Sequence, residues 1–122
     1  MKISILLPYK ENFSPIYPGA VSLFVNDTVK ISKYKKNITI FGNTNLKRTF
    51  NLKYENIHLS NIRFQSKSKN YVKEFLKLET KNPSDLIEIH NRPNYLEELV
   101  DNLEHKNFIL YFHNDPLTMN GS

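Results

Sequence analysis

Two short stretches of this chain carry the residue types that do chemistry. One is Leu86-Ile87-Glu88-Ile89-His90-Asn91-Arg92-Pro93, the other Tyr111-Phe112-His113-Asn114-Asp115-Pro116. Side chains alternate along an extended strand, so Glu88 and His90 share one face while Ile87 and Ile89 take the other. A carboxylate two residues from an imidazole can orient it or raise its pKa, which suits acid–base work or the binding of sugar hydroxyls. Equally, Glu88 can be hydrogen-bonded inside the fold while His90 simply ends a strand. His113-Asn114 repeats the order of His90-Asn91 at the end of the next apolar run, which implies one shared polar site. Arg92 can hold an anion or stand in solvent. His90, His113 and Asp115 lack a local metal-ligand spacing, so no metal is expected. A third stretch, Pro18-Gly19-Ala20, opens a helical pattern. Its unpaired backbone N–H groups and helix dipole could receive a phosphate, or Gly19 could serve only to let the chain turn tightly.

These residues must be positioned by strands and helices in alternation. Ile3 to Leu7 is an apolar run ending at Pro8, as expected of a strand buried on both faces. Val21, Phe24, Val25, Thr28 and Ser32 recur at helical spacing and predict a helix from Pro18-Gly19 to about Lys35-Lys36. Asn37 to Phe41 reads as a second buried strand. Thr44 to Asn56 is a polar excursion leading to a short strand over 57–59. Val72, Phe75, Leu76 and Glu79 place a helix over 68–80, stopped by Asn82-Pro83. A strand over 85–90, a helix from Pro93 with Leu96, Leu99, Val100 and Leu103 on its apolar stripe, and a buried strand over 107–112 complete the series. Strands alternating with helices imply βαβ units and an α/β fold, a doubly wound, mainly parallel open sheet of Rossmann-like type. In such sheets ligands bind beyond the carboxyl ends of the strands, near the point where strand order reverses. The loops holding Gly19, His90 and His113 all leave carboxyl ends.

Composition narrows the function classes. The 122 residues suit one domain, and the absence of cysteine removes disulfides and thiolate chemistry and fits a cytoplasmic setting. A net charge of +5 favours anionic partners. Nucleic acid is not expected, because no aromatic-and-basic recognition motif accompanies the charge. No stretch reaches the roughly 20 apolar residues of a membrane span. Lys69, Lys73 and Lys77 recur every four residues on one helix face. That face is either solvated or suited to peripheral contact with an anionic membrane, which would be the inner membrane face. Gly19 is the only glycine from Pro8 to Gly19, so the loop lacks a dinucleotide fingerprint.

Taken in order, Lys2-Ile3-Ser4-Ile5-Leu6-Leu7, Pro18-Gly19-Ala20-Val21, Asp85 to Pro93, and Tyr111-Phe112-His113-Asn114 resemble the amino-terminal half of GT-B fold glycosyltransferases, particularly the retaining family 4. The likeness spans nearly the whole chain and rests on the order and spacing of the pieces. It implies a hexosyltransferase-like activity with a nucleotide-sugar as co-substrate, a hydroxyl acceptor and no other cofactor. Gly19 and Ala20 would then approach the donor phosphate, and His113 would be the catalytic histidine contacting the transferred sugar. His90, Asn91, Arg92 and Asn114 would line the acceptor cleft. Many family members have two adjacent glycines where this chain has Gly19-Ala20. The chain also ends at Ser122, soon after its last strand. The resemblance therefore implies an incomplete first domain, a fragment inactive without the donor-binding second domain, which would supply the groups that neutralise the leaving diphosphate.

The rival expectation is a stand-alone flavodoxin-like module that binds a nucleotide or another anion without catalysis. A signalling receiver is a poor version of it, because Lys10-Glu11 stands where an acidic pair belongs.

Overall fold

A computed structural model describes residues 1–61, 65–103 and 107–113. The apolar runs form the strands β1 (Ile3–Leu6), β2 (Ile38–Gly42) and β4 (Leu86–His90). Every residue of β1 and β2 is buried, because helices or loops cover both faces of the sheet there. A short strand, β3 (Tyr54–Asn56), and a last one, β5 (Asn107–Tyr111), flank them. The helices are α1 (Ala20–Val29), α2 (Lys67–Lys81) and α3 (Pro93–Asn102). All neighbouring strands pair in parallel in the order β3-β2-β1-β4-β5. This is a doubly wound, Rossmann-like α/β sheet whose strand order reverses between β1 and β4.

That reversal sends the crossovers to opposite faces. Val21, Val25 and Val29 of α1 pack with Ile3, Ile5, Ile38, Ile40 and Phe13 on one side. Tyr71, Val72 and Phe75 of α2, with Tyr95 and Leu99 of α3, pack with Leu6, Phe41, Ile87 and Ile89 on the other. Tyr71 is wholly buried, and its hydroxyl donates to the Leu7 carbonyl at 2.6 Å. Burial pushes that phenol well above its ordinary pKa, so it remains a donor and fixes the start of the loop after β1. Pro93 opens α3, where its missing N–H leaves no bond unmade. Ser66 caps α2 by accepting from the Lys69 backbone N–H.

Four expectations are corrected. The first helix stops at Val29, about a turn and a half before Lys35-Lys36. Ser32 donates its N–H to the Val29 carbonyl, and its hydroxyl accepts from Tyr34 N–H, so a local turn replaces the next helical bonds. The short strand lies at Tyr54–Asn56 rather than 57–59. Tyr54 stacks on Phe13 at 5.3 Å and pairs in register with Ile40, while Ile57 enters the core on the α2 side. Val100 is exposed rather than part of the buried stripe of α3. The last strand is only half buried: Phe108 and Leu110 pack inward, whereas Ile109 and Tyr111 face the α1 side of the sheet, exposed. Among the described residues no helix covers that face beyond α1, and none is long and apolar enough to cross a membrane.

Candidate functional site

The end of β4 and the residues just past β5 meet through a chain of hydrogen bonds. Glu88 and His90 lie on the same face of β4, turned away from buried Ile87 and Ile89. His90 Nε2 is 2.8 Å from Glu88 Oε2, and His90 Nδ1 is 2.7 Å from His113 Nε2. The parallel register sets this contact, because His90 pairs with Tyr111 and His113 follows two residues later on the same face. Asn91 then locks the rim. It adopts the left-handed conformation at φ 54°, its N–H donates to the Tyr111 carbonyl, and its Oδ1 accepts from His113 N–H at 2.7 Å. An asparagine tolerates that backbone better than most residues.

The hydrogen-bond order dictates the tautomers. A carboxylate only accepts, so His90 presents Nε2–H to Glu88. In neutral His90 the Nδ1 atom is then a lone pair, which must accept from Nε2–H of His113. That leaves the Nδ1 lone pair of His113 as the free end of the chain, and among the described residues nothing bonds to it. His90 is fully buried, and Tyr111 stacks on its ring at 5.0 Å. Phe24 of α1 meets the His113 ring edge-on at 4.7 Å. Phe24, Glu88 and Tyr111 also line an open groove of about 190 Å³ between α1 and the uncovered sheet face.

Burial holds the pKa of His113 below the ordinary 6.5. Positive charge on His90 would lower it further, and the Glu88 carboxylate opposes both effects. The signs make a prediction. In an NMR titration His113 takes up its proton below pH 6.5, Glu88→Gln lowers the midpoint further, and replacing His90 with Asn raises it. Because the folded chain binds this proton less readily than the unfolded one, the linked stability is present above about pH 6.5 and is lost as pH falls through the folded midpoint. A midpoint above the ordinary value, or one indifferent to Glu88, contradicts the assignment.

The other expected residues are placed as follows. Arg92 occupies the N-cap position of α3 without a side-chain cap bond, and its guanidinium donates to the Asn91 carbonyl at 2.7 Å. Gly19 and Ala20 do open α1 at the carboxyl end of the sheet, and Phe24, five residues beyond Gly19, ties that helix to both histidines. The helix entrance, however, already holds an anion of the chain itself. The Glu11 carboxylate accepts from the Ser22 hydroxyl at 2.9 Å and fills the space that a Cβ on Gly19 would need. Lys10, at φ 68°, makes the turn that brings Glu11 there. Gly19 is thus required for close approach, first of all by Glu11. Asn114 and Asp115 lie outside the described residues. Sequence reasoning missed Glu11, Phe24 and Tyr111.

Comparison with known proteins returns no match: no family model, no curated protein and no solved structure pairs with this chain.

Proposed function

We propose that these residues are the acceptor-side part of a retaining glycosyltransferase of GT-B type, which takes its sugar from a nucleotide-sugar and gives it to a hydroxyl. The observation behind this reading is the Glu88, His90, His113 chain, ending in a lone pair that nothing among the described residues engages, at the carboxyl rim of the sheet beside the strand reversal. It is supported by the resemblance of Pro18-Gly19-Ala20, Asp85 to Pro93 and Tyr111 to Asn114 to the family's motifs. In this reading His113 Nδ1 accepts a hydrogen bond from a hydroxyl of the reacting sugar. His90 and Asn91, expected in the acceptor cleft, act instead by holding His113, since both ring nitrogens of His90 and Oδ1 of Asn91 are already engaged. The donor phosphate would reach the N–H groups at the start of α1 by displacing Glu11, whose charge otherwise repels it.

The rival, a flavodoxin-like module that only binds an anion, needs the same helix entrance and meets the same carboxylate. It has no use for a chain of three titratable groups, which favours the catalytic reading. The test uses the natural gene product that carries these residues, incubated with a panel of nucleotide-hexoses and hydroxyl acceptors. Acceptor-dependent release of nucleoside diphosphate, with the product's anomeric configuration retained by NMR, is expected. Nucleotide binding without any release points to the module, and neither binding nor release rejects both.

A further inference from the structure

The amino ends of the strands, opposite the histidine rim, carry a surface that the proposed chemistry does not use. Between α1 and β2 the chain reads Lys30-Ile31-Ser32-Lys33-Tyr34-Lys35-Lys36-Asn37, with four lysines and no acid. All of these side chains except Ser32 are exposed. Ile31 keeps 81% of its surface in water and Tyr34 45%. The segment is nonetheless built. Ser32 N–H donates to Val29 O, Lys35 N–H to Ser32 O and Asn37 N–H to Tyr34 O, and the turn at Lys35–Asn37 is 3₁₀. Lys33 Nζ sits 5.1 Å from the Tyr34 ring centroid. The nearest carboxylate in sequence, Asp27, takes up Lys30 at 3.4 Å, and among the described residues no carboxylate pairs with the other three lysines.

From this geometry we infer that the Lys30–Asn37 turn docks the protein on an anionic phospholipid bilayer. The two chemistries needed lie within one turn: ammonium groups to meet lipid phosphates, and an aliphatic and an aromatic side chain to enter the boundary below them. A bilayer interface offers a negative layer directly above an apolar one, and tyrosine is at home at that level. A nucleic acid would satisfy the lysines but leave Ile31 in water. The lysine face of α2 is a weaker candidate. Lys77 pairs with Glu74 at 2.8 Å, while Lys69 and Lys73 share a groove with Glu97, Glu98 and Asp101 of α3. Docked by this turn, the molecule holds its histidine rim away from the lipid, about the length of α1 distant, or roughly 15 Å.

The test is co-sedimentation of the folded chain with vesicles of phosphatidylcholine alone or mixed with phosphatidylglycerol. The protein should sediment with the mixed vesicles only, and less as salt rises. Lys33→Gln with Lys36→Gln should lower the partition coefficient by on the order of twentyfold. Ile31→Ser should lower it by about fivefold to tenfold. Lys69→Gln with Lys73→Gln should leave it unchanged. Circular dichroism checks that each variant folds, as expected for exposed positions. Failure to sediment with mixed vesicles overturns the inference. So does binding that ignores Ile31→Ser and is competed away by a short DNA duplex, which would mark general attraction to anions.

Discussion

His113→Ala in the natural gene product should lower sugar transfer by about a hundredfold to ten-thousandfold, the range typical of removing a positioned acid–base or polarising group. The circular dichroism spectrum should not change. The ring contributes little to the core: it is partly exposed and, among the described residues, meets His90 and Phe24, while the His113 backbone N–H donates to Asn91 Oδ1. Glu88→Gln is the informative partner. Glutamine can still accept from His90 Nε2–H, so the tautomers survive, but the charge that offsets burial of His113 is lost. Its effect should be smaller, roughly tenfold, with the acidic limb of the pH–rate profile moved to lower pH. Transfer within twofold of normal in His113→Ala would reject the assigned role; about this threshold a positioned group in a reacting site has no measurable function.

Glu79→Ala should lower stability by about 3 kcal/mol, a melting-temperature drop of roughly 10 to 15 °C. Glu79 is 2% exposed near the carboxyl end of α2. Its carboxylate accepts from the Ser4 hydroxyl at 2.9 Å and from the Ser84 N–H at 2.9 Å. It thereby joins α2 to β1 and to the turn entering β4, the two strands that flank the reversal. Alanine removes the carboxylate that accepts from both serines in a closed interior; the Ser4 and Ser84 hydroxyls still meet each other, and the lost bond to the Ser84 N–H carries most of the desolvation cost. Urea denaturation gives the number, and a loss under 1 kcal/mol would mean that water replaces the carboxylate there.

Sequence patterns were informative where local rules decide the outcome. β1 and β2 are buried on both faces and therefore stand out as nearly continuous apolar runs, whereas β4 alternates buried Ile87 and Ile89 with Glu88 and His90. The shared face of Glu88 and His90 follows from the two-residue period of a strand, and the meeting of His90 with His113 needs only adjacent parallel strands. What escaped depends on contacts distant in sequence. Tyr54-Glu55-Asn56 is polar, and it becomes a strand because Phe13 and Ile40 receive Tyr54. Glu79 falls at helical spacing with Val72 and Phe75, but only the fold supplies Ser4 to meet it. Phe24 shares helical spacing with Val21 and Val25 and so reads as core, whereas it stands at the edge of that face and touches the histidines. Glu11 reaches the helix entrance only because Lys10 takes a left-handed turn that its residue type does not announce.

The relay from Glu88 through His90 to His113 is tested most directly by the ¹⁵N shifts of the imidazole nitrogens at neutral pH. His90 should carry a proton on Nε2 facing Glu88, and His113 should be neutral with its proton on Nε2 and the shift of an open lone pair at Nδ1. A proton found on His113 Nδ1, or rings exchanging freely between tautomers, would mean that the chain of hydrogen bonds does not exist in solution.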